Sequence, residues 1–264
     1  MTAIDEIKNR VYKTTQPDDR RIKGIWDVDC LYNPKDNGRV FNYNFIISQT
    51  IGQGCAYSTK KNDGIDYINI IGKDFLDVDI KDPALLVSML DSIYGCFYCL
   101  EPTKSETINA DSETKMQWRT NIIYKEAVRL LGDLRDKKIL NVGVVGDIIK
   151  KFVHEDCEIT GTDFDKTIIG QKMFGRAEIY DGDKTLDLIS RNDLAIVTGM
   201  TITTQTIDDI IRCCKESNTK IIIYAETGAN LSQYFIELGV DSFISEIFPF
   251  YIFNGVSTIN TYNK

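Results

Sequence analysis

The stretch that most constrains this chain is Ile139-Leu140-Asn141-Val142-Gly143-Val144-Val145-Gly146-Asp147, followed by Ile159-Thr160-Gly161-Thr162-Asp163. The first run is apolar and short enough for a buried strand, and it ends where Gly143 and Gly146 permit a tight turn into a helix. The spacing is that of G-x-G-x-x-G with Asn141 in the first glycine position, and Asn tolerates glycine-like backbone angles better than other side chains. About twenty residues on, Asp163 closes the next strand, where a carboxylate can hold a ribose hydroxyl. A strand, a glycine turn, a helix N-terminus and a downstream acid predict a nucleoside-cofactor pocket formed by Asn141, Gly143, Gly146 and Asp163.

The alternation that begins there continues to the end of the chain. Strands are expected to begin near Ile139, Cys157, Ala177, Leu194, Lys220 and Phe243, with helical patterns between most of them. Ile207, Ile210, Ile211 and Cys214 fall at i, i+3, i+4 and i+7, one face of a helix. Short apolar strands alternating with helices imply right-handed crossovers and a parallel sheet. Residues 133–264 are therefore expected to form an α/β, Rossmann-like, doubly wound domain.

Residues 1–132 read as a smaller N-terminal α/β domain ending in a long helix. Thr2 can cap a first helix with Ile4, Ile7 and Val11 on its apolar face. A turn is expected over Asn33–Gly38, a half-buried strand where Phe41, Tyr43, Phe45 and Ile47 alternate, and a second strand over Asp66–Ile71. Ile51-Gly52-Gln53-Gly54 reads as a hairpin turn, or as a loop that brings backbone close to a ligand. Asp82-Pro83 starts a helix whose core face is Leu86, Met89, Leu90 and Ile93. Glu101–Asp111 reads as a polar surface connection. The helix from Ser112 to Leu131 carries the stripe Ile122, Ile123, Ala127, Leu130 and Leu131, and Gly132 ends it.

Bulk properties narrow the function. A formal charge of −8 argues against nucleic acid, which demands a basic face. No apolar run approaches the roughly 20 residues that span a bilayer, and the N-terminus lacks a signal core, so a cytoplasmic protein with no membrane partner is expected. The seven cysteines are scattered and odd in number, which reads as reduced thiols packed as small hydrophobes. Cys96-Phe97-Tyr98-Cys99 is a single C-x-x-C, and with one histidine in the chain, His154, no metal site is expected.

Other candidates lie where the strands end. Asp183, beyond the third strand, is placed to meet an adenine amino group. Thr198 ends the fourth strand, and Thr201 and Thr203 follow it, where hydroxyls can hold a substrate's oxygens; helix capping is the rival role. Glu226 occupies the matching position after the fifth strand, with a solvated loop acid as its preferred reading. Trp118 and Arg119 can clamp a planar anion, and Asp77 and Asp79 follow the second strand, although surface positions are the default for all four. Phe248–Phe253 reads as a final core strand, a lid or a subunit contact being the alternative. No basic residue precedes Lys150 near the glycine turn, and Asp147 would compete with a pyrophosphate for the helix N-terminus. That tilts the cofactor from NAD toward S-adenosylmethionine.

With Asn141–Asp147, Thr162-Asp163 and Thr198–Thr206 in view, the chain resembles the pyridinol C-methyltransferase family of iron-guanylylpyridinol cofactor biosynthesis, which serves Fe-hydrogenase. The resemblance implies an S-adenosylmethionine-dependent enzyme, homo-oligomeric, that methylates a ring carbon of a hydroxypyridine substrate. It implies ribose binding at Asp163, close backbone approach at Gly143 and Gly146, and substrate orientation by Thr201, Thr203 and Asp77. Asn192–Gly199 and the Thr-rich turn are also similar to Rossmann-like proteins associated with metal chelation. On that reading the chain is a non-catalytic module for a small anion or metal complex. An NAD-dependent oxidoreductase is the third alternative.

Overall fold

The computed structural model describes residues 2–33, 41–58 and 67–264; most of the expected turn at Asn33–Gly38, and Asp66, lie outside them. Helix α1 (Ala3–Thr14) starts in a capping box formed by Thr2 and Asp5 and buries Ile4, Ile7 and Val11. Strands β1 (Gly24–Tyr32), β2 (Phe41–Gln49) and β3 (Gln53–Ser58) form an antiparallel sheet in the order β1-β2-β3. The partner of β2 is thus β3 and not Asp66–Ile71, of which Tyr67–Asn69 form a 3-10 turn. The cause lies in Gly54, which sits so close to helix α2 (Pro83–Phe97) that a Cβ would strike the Ser88 carbonyl and the Ser92 amide. The glycines of this turn therefore admit the protein's own helix, and no ligand is needed to explain them.

Helix α2 begins as its sequence demands, with Asp82 accepting the Leu85 N–H at 2.7 Å and Pro83 at the first position. The expected surface connection contains a strand, β4 (Lys104–Ala110), which pairs antiparallel with the last strand of the chain. Its polar composition suits an edge strand, where charges discourage pairing with another chain. Helix α3 (Ser112–Leu131) has Asp111 as its cap and stops at Gly132, whose φ of 74° lies in the left-handed region.

The remaining elements alternate: β5 (Lys138–Val142), α4 (Gly146–Val153), β6 (Glu158–Asp163), β7 (Lys172–Met173), β8 (Ala177–Asp181), α5 (Thr185–Ile189), β9 (Leu194–Thr198), α6 (Met200–Thr203), α7 (Ile207–Ser217), β10 (Lys220–Ala225), α8 (Ser232–Glu237), β11 (Ser242–Glu246) and β12 (Gly255–Asn263). The large sheet has the order β4-β12-β11-β10-β9-β5-β6-β8-β7. Its six central strands, β11 to β8, are parallel, and their order reverses direction between β5 and β9. This is the Rossmann order, in which ligands bind beyond the carboxyl ends of the strands at the reversal.

Strand alternation divides the core. Leu140, Val142, Val197 and Ile223 face α1, α2, α7 and α8, whereas Ile139, Ile196, Ile222 and Ile244 face α3 and α4. Because β4 and α3 join the large sheet and its layer, the smaller body consists of α1, β1–β3 and α2, and the division drawn at residue 132 falls inside the larger one. Phe248–Phe253 is no strand but an irregular segment with a cis Phe248–Pro249 bond. Its rings Phe250 and Tyr251 pack with Phe45, Tyr57 and Met116, between the small sheet and α3. None of the described helices is long and apolar enough to cross a membrane.

One buried carboxylate joins the two bodies. Asp91 of α2 accepts the N–H groups of Cys55 on β3 (3.0 Å) and Asn230 after β10 (2.7 Å). The Gly228 N–H reaches the Cys55 carbonyl, and the Tyr57 N–H reaches Thr227 Oγ1, so the loop after β10 serves the free edge of β3. Gly54→Ala would push β3 off α2 and weaken this seam. We expect a loss of about 1–3 kcal/mol, the usual cost of overpacking against rigid backbone, measured as a lower urea midpoint at unchanged m.

Candidate functional site

The glycine turn is where the sequence places it, but its amides are spent. Gly143 has a φ of 73° and lies so close to Thr198 that a Cβ would overlap its hydroxyl. The Gly143 N–H donates to the Thr162 carbonyl, the Val144 N–H to Asp163 Oδ2 at 2.7 Å, and the Val145 N–H to Asn141 Oδ1 at 2.9 Å. The Asn141 amide group donates in turn to the carbonyls of Gly143 and Ile196. Asp163 also accepts the Asp165 N–H. A pyrophosphate seat needs these donors free, so the turn is built as a brace for β5, β6 and β9. Gly146 is open, with only Met173 near the place of a Cβ.

The other expected residues are more dispersed. Thr201 and Thr203 donate their hydroxyls to the carbonyls of Thr198 and Met200, both at 2.8 Å, the local bonding open to Thr in any helix. Asp183 is exposed beyond β8, and its N–H meets Asp181. Asp77 is exposed on the small body near the Arg20–Asp74 ion pair. Thr198 is buried, and its hydroxyl has no hydrogen-bond partner.

A row of polar side chains runs from Thr198 across the carboxyl ends of the strands. Thr198 is the register partner of Tyr224, and strand alternation turns Tyr224, Glu226 and Glu246 toward α3, on the side of Ile222 and Ile244. From α3, Arg119 lies over the rings of Tyr224 and Tyr251, with its guanidinium carbon 3.9 Å from the Tyr251 centroid. Arg119 is only 2% exposed, Glu226 8% and Glu246 0%. The Arg119 Nε–H has no partner, and the Glu226 carboxylate stands off at 3.6 Å. Lys115, one turn earlier, is also buried and donates weakly to the Phe250 carbonyl at 3.4 Å.

The two carboxyls are joined by a phenol. The Tyr224 hydroxyl lies between Glu226 Oε1 and Glu246 Oε2, the latter at 2.6 Å, and Ser257 donates to Glu246 Oε1 at 2.9 Å. One phenolic proton cannot serve two carboxylates. A proton on Glu246 completes the chain: Glu246 donates to Tyr224, Tyr224 to Glu226, and Glu226 faces Arg119. Burial accordingly raises both carboxyls above the usual range, Glu246 to about 7. Burial and the neighbouring carboxylates also raise the Tyr224 phenol, which stays protonated.

The small sheet packs over this buried cluster. Tyr43 meets the Tyr251 hydroxyl at 3.3 Å, Tyr32 bonds Ser112, and the charge of Asp147 in the glycine turn reaches Tyr32. Arg119 is expected on the surface and Glu226 as a solvated acid, Tyr251 is expected only as part of a core strand, and Tyr224, Glu246 and Lys115 belong to no sequence motif. A signal was present: carrying the α3 stripe back four residues from Ile123 lands on Arg119, and period two carries Ile222 and Ile244 to Tyr224 and Glu246.

A heavy-metal ion would need three or four soft or carboxylate ligands converging. Among the described residues no three His, Cys, Asp or Glu side chains come together in this way. Cys55, Cys157 and Cys214 are buried, and burial raises each thiol, which opposes the thiolate a metal requires. A surface depression of about 760 Å³ at the opposite edge of the sheet, near Arg135, Lys138, Glu158 and Arg176, lies at the amino ends of β5 and β6.

Comparison with known proteins bears on the family. Residues 126–242 match the DUF364 family, described as "Putative heavy-metal chelation". That match covers less than half of the chain. Two solved structures share the fold along nearly its whole length. A protein of unknown function from the DUF364 family of Desulfitobacterium hafniense DCB-2 aligns over 98% of both chains, with a TM-score of 0.58 and 10% identity. One from Pyrococcus horikoshii aligns over 92% of this chain and 87% of its own, with a TM-score of 0.54 and 13% identity. No curated protein matches this sequence.

These findings overturn the pyridinol C-methyltransferase reading, and with it the enzyme, its hydroxypyridine methylation and its place in Fe-hydrogenase cofactor biosynthesis. The physical reason is visible in the motifs that suggested it. Asn141, Gly143 and Asp163 brace a strand–turn–helix junction, and Thr201 and Thr203 bond to their own helix, so none is specific to methyl transfer.

The buried carboxyls give a pH signature. Asp91, at about 7 against a reference of 3.8, is raised by burial, as are Glu226 and Glu246. Between about pH 4 and 7 the folded state holds a proton on Asp91 and one on the Glu226–Tyr224–Glu246 chain that the unfolded chain has released, at up to about 1.4 kcal/mol per pH unit for each of these two protons. The stability these groups contribute is complete at acid pH and is lost as pH rises to about 7. Urea unfolding at pH 5 and pH 8 should show the protein weaker at pH 8. Glu246→Gln, which keeps both hydrogen bonds of the protonated acid, should reduce that difference; a protein stronger at pH 8 would refute the assignment.

Proposed function

We propose that this chain is a non-catalytic binding module that takes up a small anion, or a metal already held in an anionic chelate, at the carboxyl edge of its Rossmann sheet beside Arg119. The observation that carries this reading is a guanidinium buried to 2% exposure with its Nε–H unpartnered. A buried donor without an acceptor costs roughly 1–3 kcal/mol, and Arg is the residue whose planar fork matches carboxylate oxygens in pairs. With one proton on the Glu226–Tyr224–Glu246 chain, Arg119 and Lys115 outnumber the single remaining carboxylate, which favours a negative ligand. The chelation description of the matching family fits this if the ligand brings its own donor atoms to the metal, since the protein gathers none. The tyrosine wall of Tyr32, Tyr43 and Tyr251 supplies hydroxyls for the ligand's periphery.

A second reading keeps a nucleoside ligand, S-adenosylmethionine included. It rests on the half-exposed ring of Phe164, which follows Asp163 and packs on Gly182. Calorimetric titration at pH 6 with zinc chloride, oxalate, the zinc–nitrilotriacetate chelate and S-adenosylhomocysteine separates the cases. We expect saturable binding of oxalate or the chelate, weakened at least tenfold by Arg119→Met. Stoichiometric binding of zinc chloride that survives Arg119→Met would refute the anion reading, and binding of S-adenosylhomocysteine alone would favour the second.

A further inference from the structure

The carboxyl pair behind Arg119 does more than balance charge. An anion that reaches Arg119 enters the field of Glu226, 3.6 Å from the same guanidinium, and through Tyr224 that of Glu246. Two anions and a shared cation in a water-poor site repel unless one negative charge is removed. The hydrogen-bond chain provides the place for a proton, because Glu246, Tyr224 and Glu226 have one more acceptor than their protons can serve when both carboxyls are ionised. We infer that the anion is bound together with one proton, which settles on the Glu226–Tyr224–Glu246 chain, so that uptake and release of the ligand are driven by pH. This inference rests on the binding reading above and assigns its regulation.

The surrounding groups allow it. From α3, Lys115 and Arg119 face the pair; from β3, Cys55 and Tyr57; from β10, Tyr224; and from the segment after β11, Tyr251. The thiol and the three phenols are all raised by burial and stay neutral. Arg119 stays charged, and Lys115 is pushed down by burial and held up by Glu246. Among the groups that face Arg119, the carboxyl pair is therefore the one that changes charge near neutrality, while Asp91 lies on the far side of Cys55.

The test is titration with oxalate, which carries no proton above pH 6, in Tris and in HEPES at pH 8, whose ionisation enthalpies differ. About one proton should be taken up per oxalate at pH 8 and close to none at pH 6, and affinity should weaken about tenfold per pH unit above 7. Glu246→Gln should bind oxalate with neither uptake nor pH dependence. Binding that is lost in Arg119→Met yet takes up no proton in the native protein would overturn the coupling and leave the binding reading standing. Absence of any anion binding would overturn both. In the unliganded protein, infrared difference spectra should show protonated carboxyl signal fading through pH 7 from both Asp91 and the Glu226–Tyr224–Glu246 chain; part of it should be missing in Glu246→Gln, and a spectrum unchanged by that substitution would refute the shared proton independently of any ligand.

Discussion

The carboxylate of Asp91 is the constraint on which the site depends. Two backbone N–H groups, from β3 and from the loop after β10, converge on it inside the protein, and no cation accompanies them. It fixes the small sheet against the carboxyl edge of the large one. Without that seam Tyr57 would not stand over Glu226, and the outer face of the small sheet would not close on Tyr251 and α3. Tyr224, Glu246 and Lys115 are placed by the large sheet and α3; the part of the surround that the small sheet supplies is placed by this seam.

The arrangement moves recognition away from the usual place. A Rossmann turn ordinarily offers backbone amides and a helix N-terminus to a phosphate. Here Asn141 and Asp163 occupy those amides, and Asp147 adds negative charge at the start of α4. The positive charge that a ligand can use comes instead from α3, which the chain supplies before the first parallel strand. The site thus lies two strands over, above β10 and β11, and it is closed by a segment that the parallel sheet does not contain.

Much of the fold was legible in the sequence. The caps at Thr2 and Asp82, the stop at Gly132 and the strands from Ile139 onward follow from local rules, because each is decided by neighbours in sequence. The failures share a cause. β4 and β3 are strands whose partners lie far along the chain or whose glycines serve a helix that comes later, and Phe248–Phe253 has a strand's composition but is held as an irregular segment by rings from β2 and β3. The burial of Arg119 and Glu226 was hidden for a related reason: by type both look like surface residues, and only the continuation of periods 3.6 and 2 places them inside. Asn141, Gly143 and Asp163 were located correctly in the fold, but a spacing motif cannot tell a brace from a cradle, since both need the same backbone.

The solved relatives sharpen this point. At 10% identity over 98% of both chains, with a TM-score of 0.58, what is held in common is the fold, its layers and crossovers. Side-chain chemistry is not carried across at that distance, so a family description reaches this chain only through residues it possesses. With one histidine, and with no three His, Cys, Asp or Glu side chains converging among the described residues, the chain is poorly equipped to wrap a soft metal, yet it holds a charged guanidinium away from water at the carboxyl edge of its sheet. Glu226 at 3.6 Å and the two tyrosines over which Arg119 lies favour the charged guanidinium by more than burial disfavours it. What this surround leaves open is a single donor, the Arg119 Nε–H, and that is the group a small anion would take.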